Sequence, residues 1–128
     1  METTLRRAAE VAAALSPLNP ANVKLDRVKL AAGHPDTGSF RVTADVGGGV
    51  RVVVREVAVG GRVAKYAYAL VAAGGEVLLR YDNAPHHPEV LTFPNHKHTQ
   101  GNAIEPLNNT DLDGFVLEAA EILKEGRM

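Results

Sequence analysis

Hydrophobic positions along the chain change period twice. Near the N-terminus Leu5, Ala8, Ala12 and Leu15 recur at helical spacing, which predicts a helix over residues 3–15 closed by Pro17 and Pro20. Val23–Ala32 alternates weakly and reads as a possible first strand, followed by a turn cluster at His34-Pro35-Asp36-Thr37-Gly38. From there the period is that of strands. Ser39–Asp45, Val50–Val59, Arg62–Ala72 and Glu76–Asp82 are separated by Gly47-Gly48-Gly49, Gly60-Gly61 and Gly74-Gly75. Short turns make neighbouring strands antiparallel. Residues 101–109 read as irregular. A second helix follows, with Thr110 as its N-cap, an apolar stripe of Leu112, Phe115, Ala119, Ile122 and Leu123, and Gly126 at its end. The fold class is α+β: a single domain over residues 1–128, an antiparallel β-meander of four to five strands packed on one face by N- and C-terminal helices.

Strand alternation assigns side chains to faces. If Gly60-Gly61 and Gly74-Gly75 are two-residue turns, Glu56 opposes Lys65, Tyr68 opposes Tyr81, and Ala69 opposes Arg80. Val53, Val57, Tyr66, Tyr68, Leu70, Val77, Leu79 and Tyr81 then face the core, with Arg55 on the same side at an edge. Glu56, Lys65, Arg80 and Asp82 line the other face over a floor of Val52, Val54, Ala67 and Ala69. A three- or five-residue loop would reverse the faces.

Composition narrows the function classes. The chain has 128 residues, 45% hydrophobic and 23% charged, with a net charge of −1. Binding to nucleic acid would therefore rest on a local basic patch. There is no cysteine, which excludes disulfides, thiolate nucleophiles and thiolate metal sites and fits a reducing cytoplasm. No apolar run reaches the length of a membrane span and no secretory leader is visible.

The chemistry is concentrated in Arg80–His98, RYDNAPHHPEVLTFPNHKH, which holds four of the five histidines: His86, His87, His96 and His98. Histidine titrates near neutral pH, so it serves as acid, base or metal ligand. Three readings compete. In the first, the histidines are an acid/base pool for RNA cleavage, Lys97 and Arg80 stabilise phosphate charge, and Asp82 orients an imidazole. Tyr81, Asn83, Lys65 and Glu56 are further candidates for binding the substrate. In the second, His96-x-His98, with both rings on one side, holds a metal with His86, His87 or Asp82. No standard zinc spacing is present, and the expectation is no metal and no cofactor. In the third, the proline-bound loop only plugs the end of the sheet.

The run also carries a resemblance. Tyr81–Pro88, Thr92-Phe93-Pro94 and His96-Lys97-His98 are similar to the signature of the TumE family, toxins of toxin–antitoxin modules. Arg55-Glu56 and Tyr66-x-Tyr68 fit its upstream pattern, and Asn95 stands where the family often has histidine. The resemblance covers about residues 40–125. It implies a growth-inhibiting toxin neutralised by a helix-turn-helix antitoxin. RNA as the substrate, metal-independent endoribonuclease chemistry and a possible homodimer are expectations, with a non-catalytic blocker of a cellular target or a metal-dependent hydrolase as the alternatives. Either way, the site depends on the loop after Asp82 folding back to meet the sheet.

Overall fold

The computed structural model describes residues 2–126. Helix α1 (Thr4–Ala14) starts where the Thr3 hydroxyl accepts a hydrogen bond from the Arg6 amide at 3.0 Å. Its Ala8 and Val11, with Leu15 just beyond it, are buried at helical spacing. A 3-10 turn at Ser16–Leu18 contains Pro17, and Asn19, in the left-handed region at φ 53°, redirects the chain.

Seven strands follow in simple meander order: β1 (Ala21–Ala31), β2 (His34–Asp45), β3 (Arg51–Val59), β4 (Arg62–Val71), β5 (Val77–Asp82), β6 (His96–Thr99) and β7 (Ala103–Pro106). All six neighbouring pairs are antiparallel. Helix α2 (Leu112–Glu125) closes the chain. Asp111, not Thr110, caps it, accepting from the Gly114 amide at 2.8 Å, and Gly126 ends it as expected. Both helices pack on one face of the sheet. The core lies between them and a floor that includes Val42, Val52, Val54, Tyr68, Leu70 and Leu79. Among the described residues no helix is long and apolar enough to cross a membrane.

The α+β class and the meander agree with the sequence; the strand count of four to five does not. The expected turn at His34–Gly38 is the start of β2, and the chain instead reverses at Ala32-Gly33. Gly38 is required there because any Cβ would collide with the Lys29 carbonyl oxygen on β1. At the other edge, β6 and β7 form a short hairpin where sequence gives only loop. A four-residue polar strand and a four-residue exposed one ending in proline are too short to show an alternation.

The assignment of faces is corrected for β3. The Gly60-Gly61 turn does pair Val59 with Arg62, but a bulge follows: Ala58 pairs with Val63 and Val57 with Lys65, leaving Ala64 over. One extra residue reverses parity for the rest of the strand. Val52, Val54 and Glu56 therefore face the core, while Val53, Arg55 and Val57 face out. The β4–β5 register is as predicted from Leu70 onward, with Tyr68 opposite Tyr81 and Ala69 opposite Arg80; nearer the turn a bulge at Leu78 pairs Val71 with Val77, so Val77 is exposed rather than in the core.

Glu56 is thus moved from the groove into the core, where its side chain is fully buried. Arg7 of α1 holds both its oxygens at 2.8 Å and the Tyr68 hydroxyl donates to it at 2.7 Å. The pair fastens α1 to the sheet. Breaking one side of a buried ion pair strands the other charge. Arg7→Ala should cost about 3 kcal/mol of unfolding free energy in a urea titration at neutral pH. The double variant Arg7→Met, Glu56→Leu should recover most of it. A loss of under about 0.5 kcal/mol in the single variant would show that the carboxylate finds other donors.

Candidate functional site

The site is built on the strand pair β5–β6. Asp82 lies directly opposite His96, and Arg80 opposite His98. Alternation then sends all four side chains to the face of the sheet that carries no helix. Residues 83–95 fold back through successive tight turns, with His87, Val90 and Thr92 carbonyls accepting from Val90, Phe93 and Asn95 amides. The Thr92 hydroxyl ties the loop down, donating to the Asn95 carbonyl and accepting from the Leu107 amide. The return required by the sequence reading is therefore made by a strand, not by a free loop.

Asp82 is 3% exposed and is the centre of the cluster. Its carboxylate accepts from Arg80 Nε at 2.8 Å and from the Ala84 amide at 3.0 Å. His96 Nε2 lies 3.0 Å from one oxygen and His98 Nε2 3.6 Å from the other. The buried His96 also has Nδ1 2.9 Å from the Pro94 carbonyl oxygen, so that nitrogen must carry the hydrogen. The half-buried His87 reaches Glu89 through Nδ1 at 3.2 Å. The rings of His87, His96 and His98 meet edge to face, with centroids 4.9 to 5.7 Å apart. His86 is exposed and does not join that trio.

Two open grooves meet here. One, of about 370 Å³, is lined by Arg80, Asp82, His86, His87, His96 and His98. The other, of about 580 Å³, is lined by Arg55, Lys65, Arg80, Asp82, Asn83 and His86. Arg80, Asp82 and His86 border both. The second groove continues past Arg55 to another lined by Arg27, Lys29 and Arg41. Cations outnumber acids along these grooves even though Arg41 is paired with Asp26 at 2.7 Å and Arg80 with Asp82 at 2.8 Å, so a chain of nearly zero net charge carries a basic face.

Three expected site residues lie elsewhere. Lys97, between two histidines of the helix-free face, must point to the opposite face. There it meets Glu118 of α2 with both oxygens at 3.2 Å. Tyr81 is buried on that same face between the sheet and α2, its hydroxyl donating to Glu118. Glu56 is in the core network. Asn83 borders the groove but spends its amide on β4, accepting from the Tyr66 amide at 3.1 Å and donating to the Ala64 carbonyl at 3.0 Å. It continues the ladder past the end of β5, at the bulge itself. Sequence reasoning missed Glu118 and the Pro94 carbonyl. For Lys97 the signal was available: His96-x-His98 on one side already puts residue 97 on the other.

Burial holds the His98 imidazole below its ordinary range; Asp82 pulls it upward, while His96, Arg80 and His87 push it down. Histidine NMR titration of metal-free protein should place His98 below its usual midpoint of about 6.5. Asp82→Asn should lower it further and Arg80→Gln should raise it. Shifts in the reverse sense for both variants would sink this account of its charge environment.

The family model described as Toxin TumE matches residues 13–125, which take in the whole sheet, the histidine segment and all of α2. No curated protein and no solved structure matches the chain. The chain belongs to the TumE toxin family and, as such, is the toxin of a toxin–antitoxin module.

Proposed function

We propose that this toxin cuts RNA by histidine acid–base chemistry at the β5–β6 site. One observation carries the reading: imidazoles anchored on Asp82 open onto grooves lined by Arg55, Lys65 and Arg80. Cleavage of an RNA phosphodiester needs a base for the 2′-hydroxyl proton. It also needs an acid for the departing 5′-oxygen and cations for the phosphate charge. His98 suits the base, because burial favours its neutral form. His86, exposed where the grooves meet, suits the acid. The 2′-oxygen bonds to phosphorus as the bond to the 5′-oxygen breaks, leaving a 2′,3′-cyclic phosphate and a 5′-hydroxyl.

Arg80 suits the phosphate, since it is bound to Asp82 through Nε and its side chain is 42% exposed. Asp82 and His96 are positioning residues in this scheme: the carboxylate orients His98, and His96 is locked between Asp82 and Pro94. Lys97, engaged by Glu118, has no part in it. The basic face gives an RNA strand a path across the sheet to the histidines.

The test uses His86→Ala and His98→Ala, in cells and with purified protein. Removing an acid or a base should lower RNA cleavage about 100-fold or more, and growth inhibition with it. The circular dichroism spectrum and binding to the antitoxin should persist. Full toxicity in both variants would overturn acid–base catalysis and favour a toxin that blocks its target by binding.

A further inference from the structure

We infer that His87, His96 and His98, with Asp82, form a binding site for a divalent transition-metal ion, and that occupancy of this site shuts down the acid–base chemistry proposed above. Only the second half rests on that proposal; the binding itself rests on geometry.

The three rings each offer a nitrogen, and these atoms lie within 4.8 Å of one another. Ligands held about 2.1 Å from one ion stand roughly 3.0 to 3.4 Å apart, so closure asks for small ring movements. One pair is already at that spacing: His96 Nε2 and Asp82 Oδ1, 3.0 Å apart. The tautomer matters here. Because Pro94 O takes the hydrogen on Nδ1, the lone pair of a neutral His96 is on Nε2, the nitrogen 3.0 Å from a carboxylate oxygen. A ring nitrogen with its lone pair free, that close to a carboxylate, favours a proton or a cation at this position.

The surroundings are those that metal-binding histidines use. A ligating imidazole donates its second ring nitrogen to a carbonyl or carboxylate, which fixes its orientation. His96 has the Pro94 carbonyl in that role and His87 has Glu89. Two of the rings come from β6, where strand geometry holds them on one side, and the third from the loop that closes over it. An imidazole and carboxylate set without thiolate selects zinc, nickel or cobalt over magnesium or calcium. Arg80, bound to Asp82, opposes a cation, and the carboxylates of Asp82 and Glu89 offset it.

The consequence follows from the lone pairs. A metal takes the one that His98 needs in order to accept a proton. His86 stays outside the trio, so an occupied site keeps its basic grooves and its exposed ring while losing the base. RNA would still be bound and would not be cut.

The experiment uses untagged full-length protein stripped with a chelator, titrated calorimetrically with zinc, nickel and cobalt chlorides. The cobalt complex is followed by its visible absorption. One ion per chain is expected, with affinity falling about 10-fold or more in His87→Ala and in His98→Ala and unchanged in His86→Ala. Absence of binding by all three ions overturns the site, as does binding that both variants leave intact. RNA cleavage is measured in parallel. Cleavage by stripped protein that zinc suppresses supports the inhibitory site. Cleavage only with metal added overturns the acid–base reading and the inhibition while leaving the site itself standing. If no RNA is cut in any state, the ribonuclease reading and the inhibition fall and calorimetry alone decides the site.

Discussion

A carboxylate taken out of water must be surrounded by donors, and Asp82 collects them from separate parts of the chain. Arg80 donates from its own strand and the Ala84 amide from the start of the loop, and the returning strand sets His96 Nε2 and His98 Nε2 beside the two oxygens at 3.0 and 3.6 Å. No short stretch of sequence satisfies it alone. The carboxylate therefore favours the conformation in which β6 lies beside β5 and the loop between them is closed. The histidines are gathered because they help to satisfy Asp82, and the loop is ordered because the histidines are gathered.

The same interdependence operates at the bulge in β3–β4. One unpaired residue, Ala64, turns Glu56 inward and Lys65 outward, which sorts the charges of this region between the two faces. On the other side of β4 the ladder with β5 ends at Asp82, and there Asn83 supplies an amide that bonds the Ala64 carbonyl and the Tyr66 amide. Asn83 is the residue after Asp82. The strand end that delivers the site's central carboxylate therefore also stabilises the irregularity that makes the adjoining groove basic.

Legibility from sequence followed the strength of local signals. The helices were readable because apolar spacing and the prolines that stop α1 are local; the β4–β5 register came out as read because a bulge at Leu78 offsets a turn one residue longer than the two assumed. The histidine segment announced itself by composition. What escaped depends on pairing over distance. The Val57/Ala58 bulge has no residue signature, yet it reversed one strand. The β6–β7 hairpin pairs a polar strand with one of only four exposed residues, held by partners rather than by alternation. Lys97 was placed with the histidines because it adjoins them in sequence, although strand geometry separates neighbours onto opposite faces.

The two buried carboxylates show how the faces divide their work. Glu56 is enclosed by a guanidinium that never loses its proton and by a tyrosine hydroxyl that burial pushes well above its ordinary range. None of its partners can change charge near neutral pH, so the network can only fasten α1 to the sheet. Asp82 has one such partner, Arg80, and its remaining side-chain partners are imidazoles, which exchange protons and bind metals. A carboxylate held partly by imidazoles feels every change in their protonation or ligation. The inner network is thus fixed and the outer one responsive. The difference lies in which side chains the ladder sets beside each acid, not in how deeply each acid is buried: both are at 3% exposure or less.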